Sequence, residues 1–138
     1  MKEHIPYNPS IIEPKWQKKW KESKLYDIDL DSENKKNFFS LTMFPYPSGD
    51  LHIGHWYAFT PADSYSRFKK MKGFNVLHTQ GFDAFGLPAE NAAISRNINP
   101  MKWTFDNIDN MRNQFKLMGN SYDWSRELIT CQPEYYKW

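Results

Sequence analysis

Two histidines three residues apart, His52 and His55, close a run that begins Pro45-Tyr46-Pro47-Ser48-Gly49-Asp50-Leu51. At that spacing in the opening turn of a helix, two imidazoles share one face. A helix start also carries unpaired amides and a partial positive charge, which attract phosphate before any side chain is considered. Donors aimed at a phosphoryl group whose charge grows during reaction would serve nucleotide chemistry. Gly54, between the two, leaves room for a flat ring to approach the backbone. A metal pair is the less suited reading, since no Glu stands in the protease position and no further Cys or His lies nearby. The remaining reading is plain polar capping, and spacing alone leaves it level with the phosphate site.

Asp83 is the second candidate. In a loop over residues 81–86, its carboxylate could hold a ligand ammonium through a charge-assisted hydrogen bond; the commoner role is an Asx turn ahead of Gly86. Phe44 and Tyr46 could wall a small apolar pocket, although core packing is the usual fate of such residues. Cys131 has no partner for nucleophilic or metal chemistry and reads as a buried thiol. His78 reads as structural. No GxGxxG and no GxxxxGK[ST] occurs, so neither a dinucleotide fingerprint nor a P-loop is present.

The elements that would position these residues follow from pattern. Residues 38–44 are aromatic and β-branched, as a buried strand requires, and Pro45 and Pro47 should end its pairing. Asp50 is expected to cap a helix running through Trp56, Phe59, Tyr65 and Phe68 to Met71. Pro61 should bend or restart that helix, and Gly73 should close it. Residues 74–80 form the second strand, which makes a right-handed βαβ unit. A short helix over 87–95 follows, then one from Asn99-Pro100 to Gly119 with Trp103, Ile108, Met111, Phe115 and Met118 on one flank. Residues 127–131 are a candidate third strand. Ahead of all this, Pro9 or Pro14 starts a first helix whose Trp16 and Trp20 make an apolar stripe. Lys15, Lys18, Lys19, Lys21 and Lys24 surround it; a solvated face is the favoured reading over contact with an RNA backbone. Residues 27–37 read as a linker. Pro133-Glu134-Tyr135-Tyr136 reads as the opening of another helix, so the chain is expected to be the front of something longer. The fold class is α/β with a doubly wound parallel sheet, in which ligands sit beyond the carboxyl ends of the strands. Both the 44–55 turn and the Asp83 loop fall at that edge, where they could face one crevice.

Composition narrows the class. The 138 residues suit one domain with a real core, and 17% aromatics argue against disorder despite a mean hydropathy of −0.80. A net charge of +2 does not by itself announce a nucleic-acid binder. A single cysteine excludes an internal disulfide framework and fits the cytoplasm. The opening residues lack the apolar run of a signal peptide, and no segment is long enough to span a bilayer.

Taken together, the run 45–55 with its His-Ile-Gly-His tetrapeptide resembles the nucleotide motif of the class I aminoacyl-tRNA synthetases. The run Gly81-Phe82-Asp83-Ala84-Phe85-Gly86-Leu87-Pro88-Ala89-Glu90-Asn91-Ala92-Ala93 resembles the leucine-specific members, as do Tyr122-Asp123-Trp124-Ser125-Arg126-Glu127 and the opening Tyr7-Asn8-Pro9. The resemblance covers nearly the whole chain. It implies a Rossmann-like (HUP-type) parallel sheet, the first half of a class I catalytic domain at 38–138, preceded by an N-terminal helix and linker at 1–37. It implies activation of leucine by ATP, with Mg2+, and transfer of the leucyl group to tRNA(Leu). Carried over position by position, His52 and His55 would be catalytic and, with Gly54, would contact ATP; Phe44, Tyr46 and Asp83 would bind leucine. It implies no metal site in this stretch. Trp56-Tyr57-Ala58-Phe59 departs from the Arg-Asn-containing version of many members and reads as a subgroup variant. The second signature loop, editing domain and anticodon-binding region are not in these residues, so the chain alone is expected to form little or no adenylate. Isoleucyl, valyl and methionyl enzymes are the related alternatives, and a non-catalytic tRNA- or protein-binding module is the alternative of another class.

Overall fold

Extended segments and helices alternate along residues 6–138, which are those the computed structural model describes; the opening-run expectation for 1–5 lies outside them. The strands are short. β1 (Asn37–Phe39) pairs in parallel with β2 (Asn75–Leu77), Phe38 opposite Val76, and β3 (Gly81–Phe82) pairs in parallel with β4 (Leu128–Ile129), Phe82 opposite Ile129. In extended chain successive backbone groups point to opposite edges. Asn75 donates to Lys36 and Leu77 accepts from Ser40, whereas the carbonyls of His78, Gln80 and Phe82 accept from Asp123, Leu128 and Thr130. Residues 75–82 are thus one central run that is paired first along one edge and then along the other.

Two expectations change here. The expected loop at 81–86 begins two residues later, because Gly81 and Phe82 still pair. Gly81 is required there: a Cβ would stand 2.3 Å from the Leu128 carbonyl oxygen. The first strand is shorter than 38–44. After the Ser40 bond its pairing lapses, and contact resumes only where the Asp83 N–H donates to the Pro45 carbonyl, at 2.9 Å. Leu41 and Met43 are exposed on the unpaired stretch.

Helix α1 (Pro9–Glu22) starts at the earlier proline, with Asn8 capping the Ser10 N–H; Pro14 is carried inside, and no residue of α1 is buried. Its lysines lie on exposed faces, and Lys18 pairs with Glu22 across one turn. Helix α2 (Ile53–Met71) runs through Pro61 without a break and ends at Lys72, followed by Gly73 at φ +86°. Helix α3 (Leu87–Ser95) packs on α4 (Pro100–Met118), which Asn99 caps and Gly119 closes at φ +74°. A single 3-10 turn (Trp124–Arg126) and a short α5 (Pro133–Tyr136) complete the chain. Residues 27–37 are not a free linker: Asp123 accepts from the Ile28 N–H and Asn75 donates to the Asp29 carbonyl.

The core gathers around Phe115 of α4. Phe82, Tyr122, Phe59 and Trp124 all place their rings within 6.4 Å of it, and Ile108, Met111 and Ile129 fill the remainder. Aromatic burial on this scale supplies most of the stabilisation of a small domain. Because Phe59 lies in α2 and Phe82 in β3, the same core fixes both the helix that begins at the histidines and the strand that leads to Asp83. Among the described residues, no helix is long and apolar enough to cross a membrane.

Candidate active site

The helix bearing the histidines is capped by His52 itself and not, as expected, by Asp50. The His52 Nδ1 accepts the Gly54 N–H at 3.1 Å, and the His55 Nδ1 accepts the His52 N–H at 3.0 Å. This is a capping box built from imidazoles, with His55 in the position usually held by Glu or Gln. The cause lies in the preceding residues: Asp50 is turned away, its carboxylate taking hydrogen bonds from Asn110 at 2.6 Å and Gln114 at 2.8 Å of α4. Those amides hold the Asp50 carboxyl below the usual carboxylate range.

The capping bonds have a chemical consequence. Each Nδ1 is an acceptor, so in each neutral ring the proton sits on Nε2. Two Nε2–H donors are therefore preset at the start of α2, with ring centroids 4.0 Å apart. The His55 ring also stacks on Phe59, which ties it to the core. Partial burial, and then the neighbouring His52, lower the His55 pKa and favour that neutral donor form. Gly54 serves the cap directly. A Cβ there would meet the His52 ring at 2.9 Å, so the missing side chain makes room for an imidazole of the chain itself.

Asp83 and Tyr46 share a small cleft, lined also by Pro47, Ser48, Ala84 and Pro88. The Asp83–Pro45 backbone bond joins its two walls. The Asp83 Oδ1 accepts from the Thr130 hydroxyl at 3.3 Å, and that hydroxyl oxygen in turn accepts the Ala84 N–H. Phe44 is half-buried and does not line that cleft. Cys131 is only partly covered, against the edge of the core, and burial raises its thiol pKa. Among the described residues no group of three His, Cys, Asp or Glu side chains is arranged to hold a metal ion.

One buried polar cluster was not legible beforehand. Asp63 of α2 accepts from both the backbone and the hydroxyl of Ser121 and from the Arg67 guanidinium, which also reaches the Tyr26 hydroxyl and the Gly119 carbonyl. His78 packs beside them, its Nδ1 3.4 Å from the Ser121 hydroxyl, and burial pushes its pKa down to about 4 in spite of Asp63. The i, i+4 spacing of Asp63 and Arg67 was the one available signal.

With this geometry in place, the comparisons are specific. A model of the family "tRNA synthetases class I (I, L, M and V)" matches residues 15–137. The chain belongs to this family. It is 60% identical over 138 residues to a leucine–tRNA ligase of Thermosipho melanesiensis and 59% identical over 132 residues to one of Dehalococcoides mccartyi. These alignments cover 100% and 96% of the chain, but it spans only 16% of the length of each relative. Among solved structures, the agnB2 LeuRS of Agrobacterium radiobacter K84, in a ternary complex with tRNA and LeuAMS, superposes with a TM-score of 0.89 at 44% identity. That match covers 94% of this chain and 17% of the other. The Mycobacterium tuberculosis methionyl-tRNA synthetase in complex with methionyl-adenylate superposes with a TM-score of 0.69 over 74% of this chain and 20% of its own; at 24% identity it speaks to the fold alone.

Proposed function

We propose that the chain is the first part of a leucyl-tRNA synthetase, with an N-terminal helix and tether over 1–37 and the opening half of a Rossmann-like catalytic domain over 38–138. The observation that supports the reading best is the imidazole capping box, which takes up both Nδ1 atoms and leaves two Nε2–H donors outside the cap at a helix start. In the reaction, a leucine carboxylate oxygen bonds to the α-phosphorus of ATP as the bond to the β-phosphate oxygen breaks, giving leucyl-adenylate and pyrophosphate. His52 and His55 donate to the phosphate oxygens as negative charge builds on them, which lowers the barrier more than it tightens ground-state binding. Asp83 takes the leucine ammonium and Tyr46, in the same cleft, contacts the side chain; Phe44, which does not line that cleft, is assigned to the leucine site by backbone and ring on the resemblance alone. Gly54 serves ATP binding through the cap, its missing side chain leaving room for the His52 ring. The leucyl group then passes to tRNA(Leu), in the cytoplasm. Mg2+ enters with the phosphates of ATP.

The test is ATP–pyrophosphate exchange by a full-length protein that contains this chain, run with a panel of amino acids. Leucine should exceed isoleucine, valine and methionine by about tenfold or more in kcat/KM; equal rates, or a preference for another member of the panel, would overturn the reading. The chain by itself should show little or no exchange. In the same full-length background, Asp83→Ala should raise the KM for leucine about 10- to 100-fold, the loss of a charge-assisted hydrogen bond of ~1.5–3 kcal/mol. An unchanged leucine KM would remove Asp83 from the site.

A further inference from the structure

The two residues just before the histidine cap are held from another helix. Asn110 and Gln114 lie four positions apart on α4, so their side chains leave one flank of it together. Both donate to the same Asp50 oxygen, Oδ1. The Gln114 amide does more: its Oε1 accepts the Leu51 N–H at 2.7 Å while its Nε2 donates to Asp50 at 2.8 Å. One partner is a donor and the other an acceptor, so a single orientation of the amide satisfies both. The residue next in sequence is His52, the cap of α2. Leu51 itself is packed against the core, as Phe115 is, one residue beyond Gln114.

We propose that Gln114 is a positioning residue: its amide grips Asp50 and the Leu51 backbone and thereby sets where His52 and His55 stand at the start of α2. It touches no substrate in this account, and its importance for catalysis rests on the function proposed above. A glutamine suits the task because it offers a donor and an acceptor side by side at the end of a chain long enough to cross between elements. A carboxylate in its place would still accept the Leu51 N–H but would set a second negative oxygen against Asp50.

The test uses the full-length protein and two readouts. The first is hydrogen exchange resolved over peptides spanning residues 48–56. Gln114→Ala and Gln114→Glu should each speed exchange in this stretch about tenfold or more, through loss of the Leu51 bond or repulsion at Asp50, while peptides from α3 keep the wild-type rate. The double variant Asp50→Asn/Gln114→Glu restores a donor–acceptor pair and should bring exchange back towards wild type. The second readout is leucine-dependent pyrophosphate exchange, where the single variants should lose about tenfold in kcat with the leucine KM little changed, and the double variant should recover. Wild-type protection of 48–56 in both single variants, or a double variant no better than Gln114→Glu, would overturn the positioning role. A wild-type protein that does not activate leucine would overturn the proposed function instead, and the exchange pattern would still decide the role of Gln114.

Discussion

His55→Ala in the full-length protein is expected to slow leucyl-adenylate formation about a hundredfold or more while leaving the leucine KM within about threefold. The asymmetry follows from where the charge develops. On the function proposed above, a preset Nε2–H beside the phosphates would gain strength as the α-phosphorus becomes five-coordinate, and it would have no part in holding the leucine ammonium. The substitution also deletes half of the capping box, because the His52 N–H loses the Nδ1 that accepts it. Loss of such a bond costs about 1 kcal/mol of stability, which must be separated from catalysis. His55→Gln separates them, since glutamine at this position of a capping box still accepts the backbone N–H but offers no imidazole donor. Thermal melts of His55→Gln should sit near wild type while the adenylation rate stays low. Equal losses in kcat and leucine affinity, or recovery of the rate in His55→Gln, would reduce the histidine to a cap.

The parts of this molecule that the sequence disclosed are those fixed by local chemistry. Proline at the first turn and glycine past the last gave α4 its observed limits, and the short helix at Leu87–Ser95 was legible for a similar reason. What was hidden depends on partners distant in the chain. Nothing local says that Asp50 is engaged by Asn110 and Gln114, some sixty residues away, and without that knowledge Asp50 is the better cap on propensity alone. Pairing that crosses from one edge of the central run to the other is equally invisible, because Gly81 looks like loop punctuation until Leu128 is set beside it. Of the candidate residues, Tyr46 and Asp83 line one cleft, and the two imidazole centroids lie 4.0 Å apart. Phe44 does not line that cleft. The Asp63 cluster is not legible in the sequence because polar residues in a helix read as surface unless the segments that bury them are known.

That cluster supports the largest expected effect on folding. Asp63→Ala should destabilise the protein by ~3–5 kcal/mol, a large part of the ~5–15 kcal/mol available to a domain. The carboxylate is buried, and its removal strands several groups at once. The Ser121 N–H and hydroxyl lose their acceptor, and the Arg67 guanidinium loses its counter-charge while still held against Tyr26 and Gly119. The damage should spread, because Asp63 is where α2, the turn after α4 and the segment bearing His78, just past β2, converge. Ser121→Ala makes the contrast: it removes only the hydroxyl, leaves the backbone N–H bonded to Asp63, and should cost about 1 kcal/mol. Denaturant unfolding followed by circular dichroism should therefore rank Asp63→Ala far below Ser121→Ala, with wild type highest. If Asp63→Ala unfolds within about 1 kcal/mol of wild type, the cluster is not what joins these three elements, and the aromatic core around Phe115 must hold them without it.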